Sequence, residues 1–272
     1  MIKVATVLGI VVTPATTSRI LLNRVARGQS NAPVKFINLS AGVHRIWKRE
    51  LRPLLITGLV IFSVRSSFAD WNNVPTGSMK PTIIEGDLVF VNKLAYDLKV
   101  PFTTWHLAEW SNPQRGDVVV FYAPHNGERF VKRVVGLPGD TVELRREQLI
   151  INGSSMDYTP LAPEVSAQLA EGERQASLFA TENLTGRDHA VMVTPHLPAK
   201  RDAGPIRVPE NQYFMMGDNR DNSFDSRYFG PVDRSRIVGR TSSVLWSMNG
   251  WRPRSQRLFR SLDPKTDSTP AE

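Results

Sequence analysis

Residues 116–140 read GDVVVFYAPHNGERFVKRVVGLPGD and hold two short runs, GDVVVFYAP (116–124) and RFVKRVVGLPGD (129–140), punctuated by Pro, Asn and Gly. Valine and phenylalanine suit a pleated, half-buried surface, so both runs read as strands. In the second, the period of two puts Phe130, Lys132 and Val134 on one face and Val131, Arg133 and Val135 on the other. The same texture continues outward in DLVFVNK (87–93), TVELRREQLIING (141–153), QYFMMGDN (212–219) and SSVLWSM (242–248). A mostly β domain over 72–153 and 208–252 is therefore predicted. Between its halves, 154–207 turns polar, and EVSAQLAEGERQASLFATENL (164–184) has no clear period, so this stretch reads as an inserted lobe. Residues 253–272 form a polar C-terminal tail, expected to be disordered from Asp263 on.

The 272 residues carry a net charge of +8, which invites a nucleic-acid reading until the charge is placed. Residues 1–52 contain nine basic side chains against Glu50 alone, leaving 25 basic and 25 acidic residues in 53–272. The folded part is neutral, so no nucleic-acid partner is expected. The basic block precedes LLITGLVIFSV (54–64), extendable over 53–71 with Arg65 snorkelling and Trp71 as an interfacial anchor. A spanning helix needs about 20 mainly apolar residues. On length alone a buried core helix or strand competes. The positive-inside bias favours a transmembrane anchor over 53–71 with 1–52 cytoplasmic, the rest extracytoplasmic, and the lipid bilayer as a partner. A second apolar stretch within 4–18 is a candidate first membrane segment or a signal-like run.

Cysteine is absent, which excludes thiol catalysis and cysteine metal sites. Three segments hold the remaining chemistry. In VPTGSMKPTIIEGDLVFV (74–91), Pro75, Gly77 and Pro81 restrict the backbone around Ser78; a serine needs a neighbouring base and oxyanion donors to act as a nucleophile, and a plain turn is the competing reading. In RFVKRVVGLPGD, apolar neighbours around Lys132 would disfavour its ammonium form and make it a usable base, against a lysine at a sheet edge or one paired with Asp140. In MGDNRDNSFDSRYFGPV (216–232), Asp218, Asp221 and Asp225 suggest a calcium loop, but no glutamate stands at the twelfth position and Arg220 and Arg227 would neutralise the acids. Asp/Arg pairing around a buried hydroxyl fits better. The five histidines lie outside these segments and signal neither a Ser/His triad nor a metal site; no cofactor is expected.

Together and in this order, PTGSMKPT, RGDVVVF (115–121), RFVKRVVGLPGD and GDNRDNSFDSR resemble the signature boxes of bacterial signal peptidase I, a Ser/Lys serine protease family. The resemblance covers Val74 to Trp246 apart from 154–207. It implies an antiparallel β-sheet catalytic domain with a smaller inserted lobe, anchored by one or two N-terminal transmembrane helices. It assigns the nucleophile to Ser78 and the general base to Lys132. Ser223 would orient the lysine, with Asp225, Arg227 and Arg133 supporting the site. The oxyanion hole would be the Ser78 N–H and the hydroxyl of Thr76, which stands where some members have serine. Met79, Ile83 and Val131 are the substrate-binding candidates. Some members carry a disulfide in the lobe, and this chain cannot.

The implied partners are secretory preproteins, cut after their signal peptides at the bacterial inner membrane, with the catalytic domain on the extracytoplasmic side. Two other classes share the boxes: a Ser/Lys peptidase specialised for conjugation or pilus export, and a membrane-tethered binding factor without catalysis.

Overall fold

The structure, a computed structural model, describes residues 19–20, 37–38, 46–100, 103 and 105–262, in two units, 1–63 and 64–272. The 4–18 segment and the residues from Asp263 on lie outside the described residues. In the first unit Arg19–Ile20 pairs antiparallel with Ile37–Asn38, and a π turn over Trp47–Leu51 leads into the helix α1, Arg52–Ser67. Pro53 sits in its first turn, where a missing N–H costs nothing. Leu54, Leu55, Ile56, Leu59, Val60, Ile61 and Phe62 are all more than half exposed, so α1 is apolar on every face. Its 16 residues span about 24 Å, less than a bilayer core of about 30 Å. Among the described residues no helix is long and apolar enough to cross a membrane. The expected span over 53–71 is shortened because Ala69–Asn73 leaves the helix to form a strand, and Asp70 is buried there against Arg129.

That strand, β1, is the first of the second unit, which begins at Val64 within the last turns of α1. It is followed by β2 (Asp87–Asn92), β3 (Val118–Tyr122), β4 (Arg129–Gly136), β5 (Thr141–Arg145), β6 (Gln148–Ile151) and β7 (Ser154–Ser155). Next come β8 (Asp157–Pro160), the short helices α2 (Pro163–Ala167) and α3 (Glu171–Ala176), β9 (Leu178–Asn183), β10 (Asp188–Val193) and β11 (Ala203–Arg207). β12 (Gln212–Met216), α4 (Ser226–Phe229), β13 (Val232–Asp233) and β14 (Ile237–Asn249) complete it. The fold is mostly β and antiparallel. The main sheet has the order β13-β12-β4-β3-β14-β2-β1, a second sheet runs β7-β6-β5-β11, and a third runs β8-β9-β10.

β3 is the centre of the main sheet because Val118, Val119, Val120 and Phe121 are buried on both faces, each worth roughly 2 kcal/mol of apolar burial. Val119 and Phe121 pack with Val134, Met215 and Ile237, while Val118 packs with Val74, Met79, Ile83, Val89 and Val244. The strand pairing Val118↔Arg133, Val119↔Lys132, Val120↔Val131 then fixes which way Lys132 points.

Two expected boundaries differ. β11, within the expected lobe 154–207, pairs with β5 outside it, so residues 141–155 share a sheet with part of the lobe. Residues 255–262, expected in the tail, pack onto the domain: Arg257 and Leu262 are buried, and Arg257 binds Asp87 and the Thr82 carbonyl. A buried carboxylate at Asp87 needs such a partner, which the local sequence around either residue does not announce.

Candidate active site

The segment after β1 is held from below by apolar side chains. Met79 and Ile83 are buried in the core with Val74 and Val89, and the Ile83 N–H donates to the Met79 carbonyl at 2.9 Å. This fastens one turn of chain and leaves Ser78 at its upper edge, 9% exposed. A second turn grips it from the side. The Asn219 backbone N–H donates to the Ser78 carbonyl at 3.1 Å, and the Asn219 side-chain amide donates to the Gly77 carbonyl at 3.0 Å. Gly217 permits that approach: a Cβ there would lie 2.5 Å from the Ser78 carbonyl oxygen and would meet Ser223 as well.

Lys132 on β4 meets Ser78 from the sheet. Its Nζ lies 2.5 Å from Ser78 Oγ, and it stands 5.4 Å from the centre of the Phe130 ring. The lysine is 4% exposed. Burial pulls its pKa down to about 8; Asp225 and Asp218 draw it back only in part, and the Arg227 guanidinium pushes it down further. A lysine hydrogen-bonded to a hydroxyl and held near pH 8 can exchange a proton with it.

The acids of the third segment each go to a different arginine. Arg133, on the opposite strand face from Lys132, grips Asp218 with Nε at 2.8 Å and Nη2 at 2.7 Å. Asp218 also accepts from Thr82 Oγ1 at 2.6 Å, which ties the nucleophile segment to the Gly217–Asn219 turn. Asp221 accepts from Arg201 and the Thr194 N–H. Asp225 caps α4 and takes Arg227 through Nε at 2.8 Å and Nη2 at 2.9 Å, the Gly217 N–H at 3.0 Å and Ser223 Oγ at 2.7 Å. Burial alone would raise the Asp225 pKa; the Arg227 hydrogen bonds and charge outweigh it and hold the carboxylate below its ordinary range. With Arg133, Arg201 and Arg227 engaging them, the three acids form a scaffold, not an open cation loop.

A cleft of about 360 Å³ opens in front of Ser78 and Lys132, lined by Pro75, Thr76, Met79, Val131, Phe130 and Phe224 among others. Of the expected substrate contacts, Met79 and Val131 line it. Ile83 is a correction: it has no exposure and sits in the core with Met79, since the turn that presents Ser78 needs an apolar anchor underneath. Thr76 is exposed at the cleft, and Ser223 directs its hydroxyl to Asp225. The sequence reading did not single out Asn219, Gly217 or Thr82 as site residues. The G-D-N triplet beside Asp225 was the available signal, but a grip on residues about 140 positions away leaves no local period.

A family model described as signal peptidase, peptidase S26, matches residues 47–246. A signal peptidase I of Pseudomonas fluorescens is 36% identical over 200 residues, covering 69% of this chain and 68% of the relative. The signal peptidase I of Pseudomonas aeruginosa is 35% identical over 204 residues, with the same coverage. One from Buchnera aphidicola subsp. Schizaphis graminum is 32% identical over 233 residues, covering 73% of this chain and 75% of the relative. With the family match spanning well over half of the sequence, and a buried Ser/Lys pair at the mouth of a cleft, this chain belongs to the signal peptidase family, peptidase S26.

Proposed function

We propose that this protein is a serine endopeptidase that removes N-terminal signal peptides from exported preproteins, with Ser78 as nucleophile and Lys132 as general base. The observation that carries this reading is the 2.5 Å Nζ to Oγ contact in a site that lowers the lysine pKa to about 8. At pH 8 about half of such lysines are neutral, whereas a lysine near 10.4 would be almost wholly protonated. Neutral Lys132 takes the Ser78 proton as Oγ attacks the carbonyl carbon of the scissile peptide. The Ser78 N–H and the Thr76 hydroxyl donate to the oxyanion. The Lys132 ammonium then protonates the leaving amine, giving an acyl-enzyme. Lys132 next activates a water that hydrolyses the ester and frees Ser78.

Arg133 and Asp218 hold the Gly217–Asn219 turn, and Asp225 with Arg227 holds the Ser223 end, so these residues position the pair without touching substrate. Met79 and Val131 give the cleft an apolar wall suited to small side chains at the cleavage site. In the same reading, the exposed apolar helix α1 and the basic residues before it anchor the chain in the bacterial inner membrane. The catalytic domain then lies on the extracytoplasmic side, where preproteins emerge.

The test is Ser78→Ala in the full chain with a preprotein substrate. We expect mature N-termini to disappear to background, while the melting temperature stays within a few degrees, since only one oxygen is removed. Continued cleavage by a folded Ser78→Ala protein would refute the serine mechanism.

A further inference from the structure

A second cavity, about 540 Å³ against about 360 Å³ for the cleft, lies within the 64–272 unit. Its lining includes Ser66, Lys93, Lys99, Tyr122, Arg129 and Arg236, four cations among them, and no carboxylate. Arg129 also lines the cleft, so the two cavities share a wall. Two of the compensating acids are buried behind this surface and one is exposed beside it. Buried Asp70 holds Arg129 at 2.9 Å and Lys93 at 3.5 Å; buried Asp97 holds Arg234 at 2.9 Å and Lys99 at 3.3 Å; Asp233 lies 3.8 Å from Arg236. Asp70 and Asp97 are thus each shared between two cations.

The lysine ammoniums are also fixed in place. Lys93 Nζ donates to the Ser66 carbonyl at 2.9 Å and Lys99 Nζ to the Ile237 carbonyl at 2.6 Å. Burial pulls both lysines below their ordinary pKa. Arg129 adds to this at Lys93, and Arg234 and Lys93 add to it at Lys99, although the nearby aspartates oppose it. A bound anion would relieve that crowding of like charge. A tetrahedral oxyanion could take several of these donors at once.

The lining names the source. Tyr122 and Trp105 share this wall with the cations, and tyrosine and tryptophan collect at membrane interfaces beside basic side chains. We infer that this cavity binds a phosphate group, and that the group is the headgroup of an anionic phospholipid such as phosphatidylglycerol. The anion chemistry stands on the cavity itself; the lipid source rests on the membrane reading.

The experiment uses the full chain in a neutral detergent, titrated with dihexanoyl phosphatidylglycerol or with inorganic phosphate while the melting temperature is followed. The wild type should show a saturable rise with the lipid and a weaker one with phosphate. Lys99→Gln/Arg236→Gln should raise the apparent Kd about tenfold or more while leaving cleavage of a soluble peptide unchanged. No saturable rise in the wild type, or an equal rise in the double variant, overturns the site. A response to inorganic phosphate with none to the lipid overturns the lipid source. Flotation of both proteins with phosphatidylglycerol vesicles is scored separately. Failure of both to float would overturn the membrane reading, while the micelle titration still decides the anion site.

Discussion

Lys132, which meets Ser78, and Lys80, two residues after it in sequence, are both almost fully buried, and they end with opposite chemistry. Burial pulls each ammonium down in pKa. At Lys80 the hydrogen bonds and charges of Glu173 at 2.5 Å and Glu85 at 2.7 Å overcome it, and the pKa rises above its ordinary value. At Lys132 the hydrogen bond goes to the Ser78 hydroxyl, the aspartates act from further off, and the pKa falls to about 8. Burial is thus shared, and the partner decides the role: Lys80 is a permanent cation that ties α3 to the nucleophile segment, and Lys132 is a base.

Lys132→Arg breaks the comparison most severely, because a guanidinium stays charged and cannot accept the serine proton. It should lower kcat/KM about a thousandfold or more. In the wild type kcat/KM should rise through a midpoint near pH 8, where Lys132 loses its proton. An active Lys132→Arg enzyme, or an acid limb near pH 10, would show that Lys132 is not the base.

Asp225→Asn attacks the support. It leaves the Arg227 guanidinium buried with a neutral partner, and denaturant unfolding should report a loss of about 3 kcal/mol. An unchanged midpoint would mean that Asp225 is not the counter-ion that the geometry describes. Gly217→Ala probes the grip on Ser78. The added methyl must displace the Ser78 carbonyl or Ser223, so kcat should drop about tenfold to a hundredfold with little change in KM. A wild-type kcat would show that the turn does not position the nucleophile.

Glu173→Gln sharpens the Lys80 side and has the smallest effect. Glu173 is more than a third exposed and Lys80 keeps Glu85, so we expect a loss of at most about 1 kcal/mol in stability. The pH midpoint of activity should stay near 8. A shifted midpoint would mean that the Lys80 ion pair reaches Lys132, and the two lysines would no longer be independent.

Much of this was legible along the chain. The alternation in RFVKRVVG placed Lys132 and Arg133 on opposite faces, because a strand turns its side chains with a period of two whatever surrounds it. The Gly and Pro around Ser78 marked a turn. Dense Asp/Arg spacing in 216–232 marked ion pairing, and Asp225 with Arg227 formed within two residues of each other. The apolar run 54–64 read as a membrane anchor, but where the helix stops was not readable: Trp71 suited an interface and equally suited the strand it joins.

By itself, then, the sequence determined the strands, their faces, the turn at Ser78 and the local Asp225/Arg227 pair, all of which depend on neighbours a few positions away. Tertiary structure alone decided that Lys132 meets Ser78 across 54 positions, that Asn219 holds Gly77 across 142, and that Asp218 is shared by Arg133 and by Thr82 across 136. It also decided that Met79 lines the cleft while Ile83 is buried behind it. A pKa near 8 belongs to this second class. It is set by how completely a packed sheet excludes water and by which charges the fold leaves at a distance, and neither quantity exists until the chain has folded.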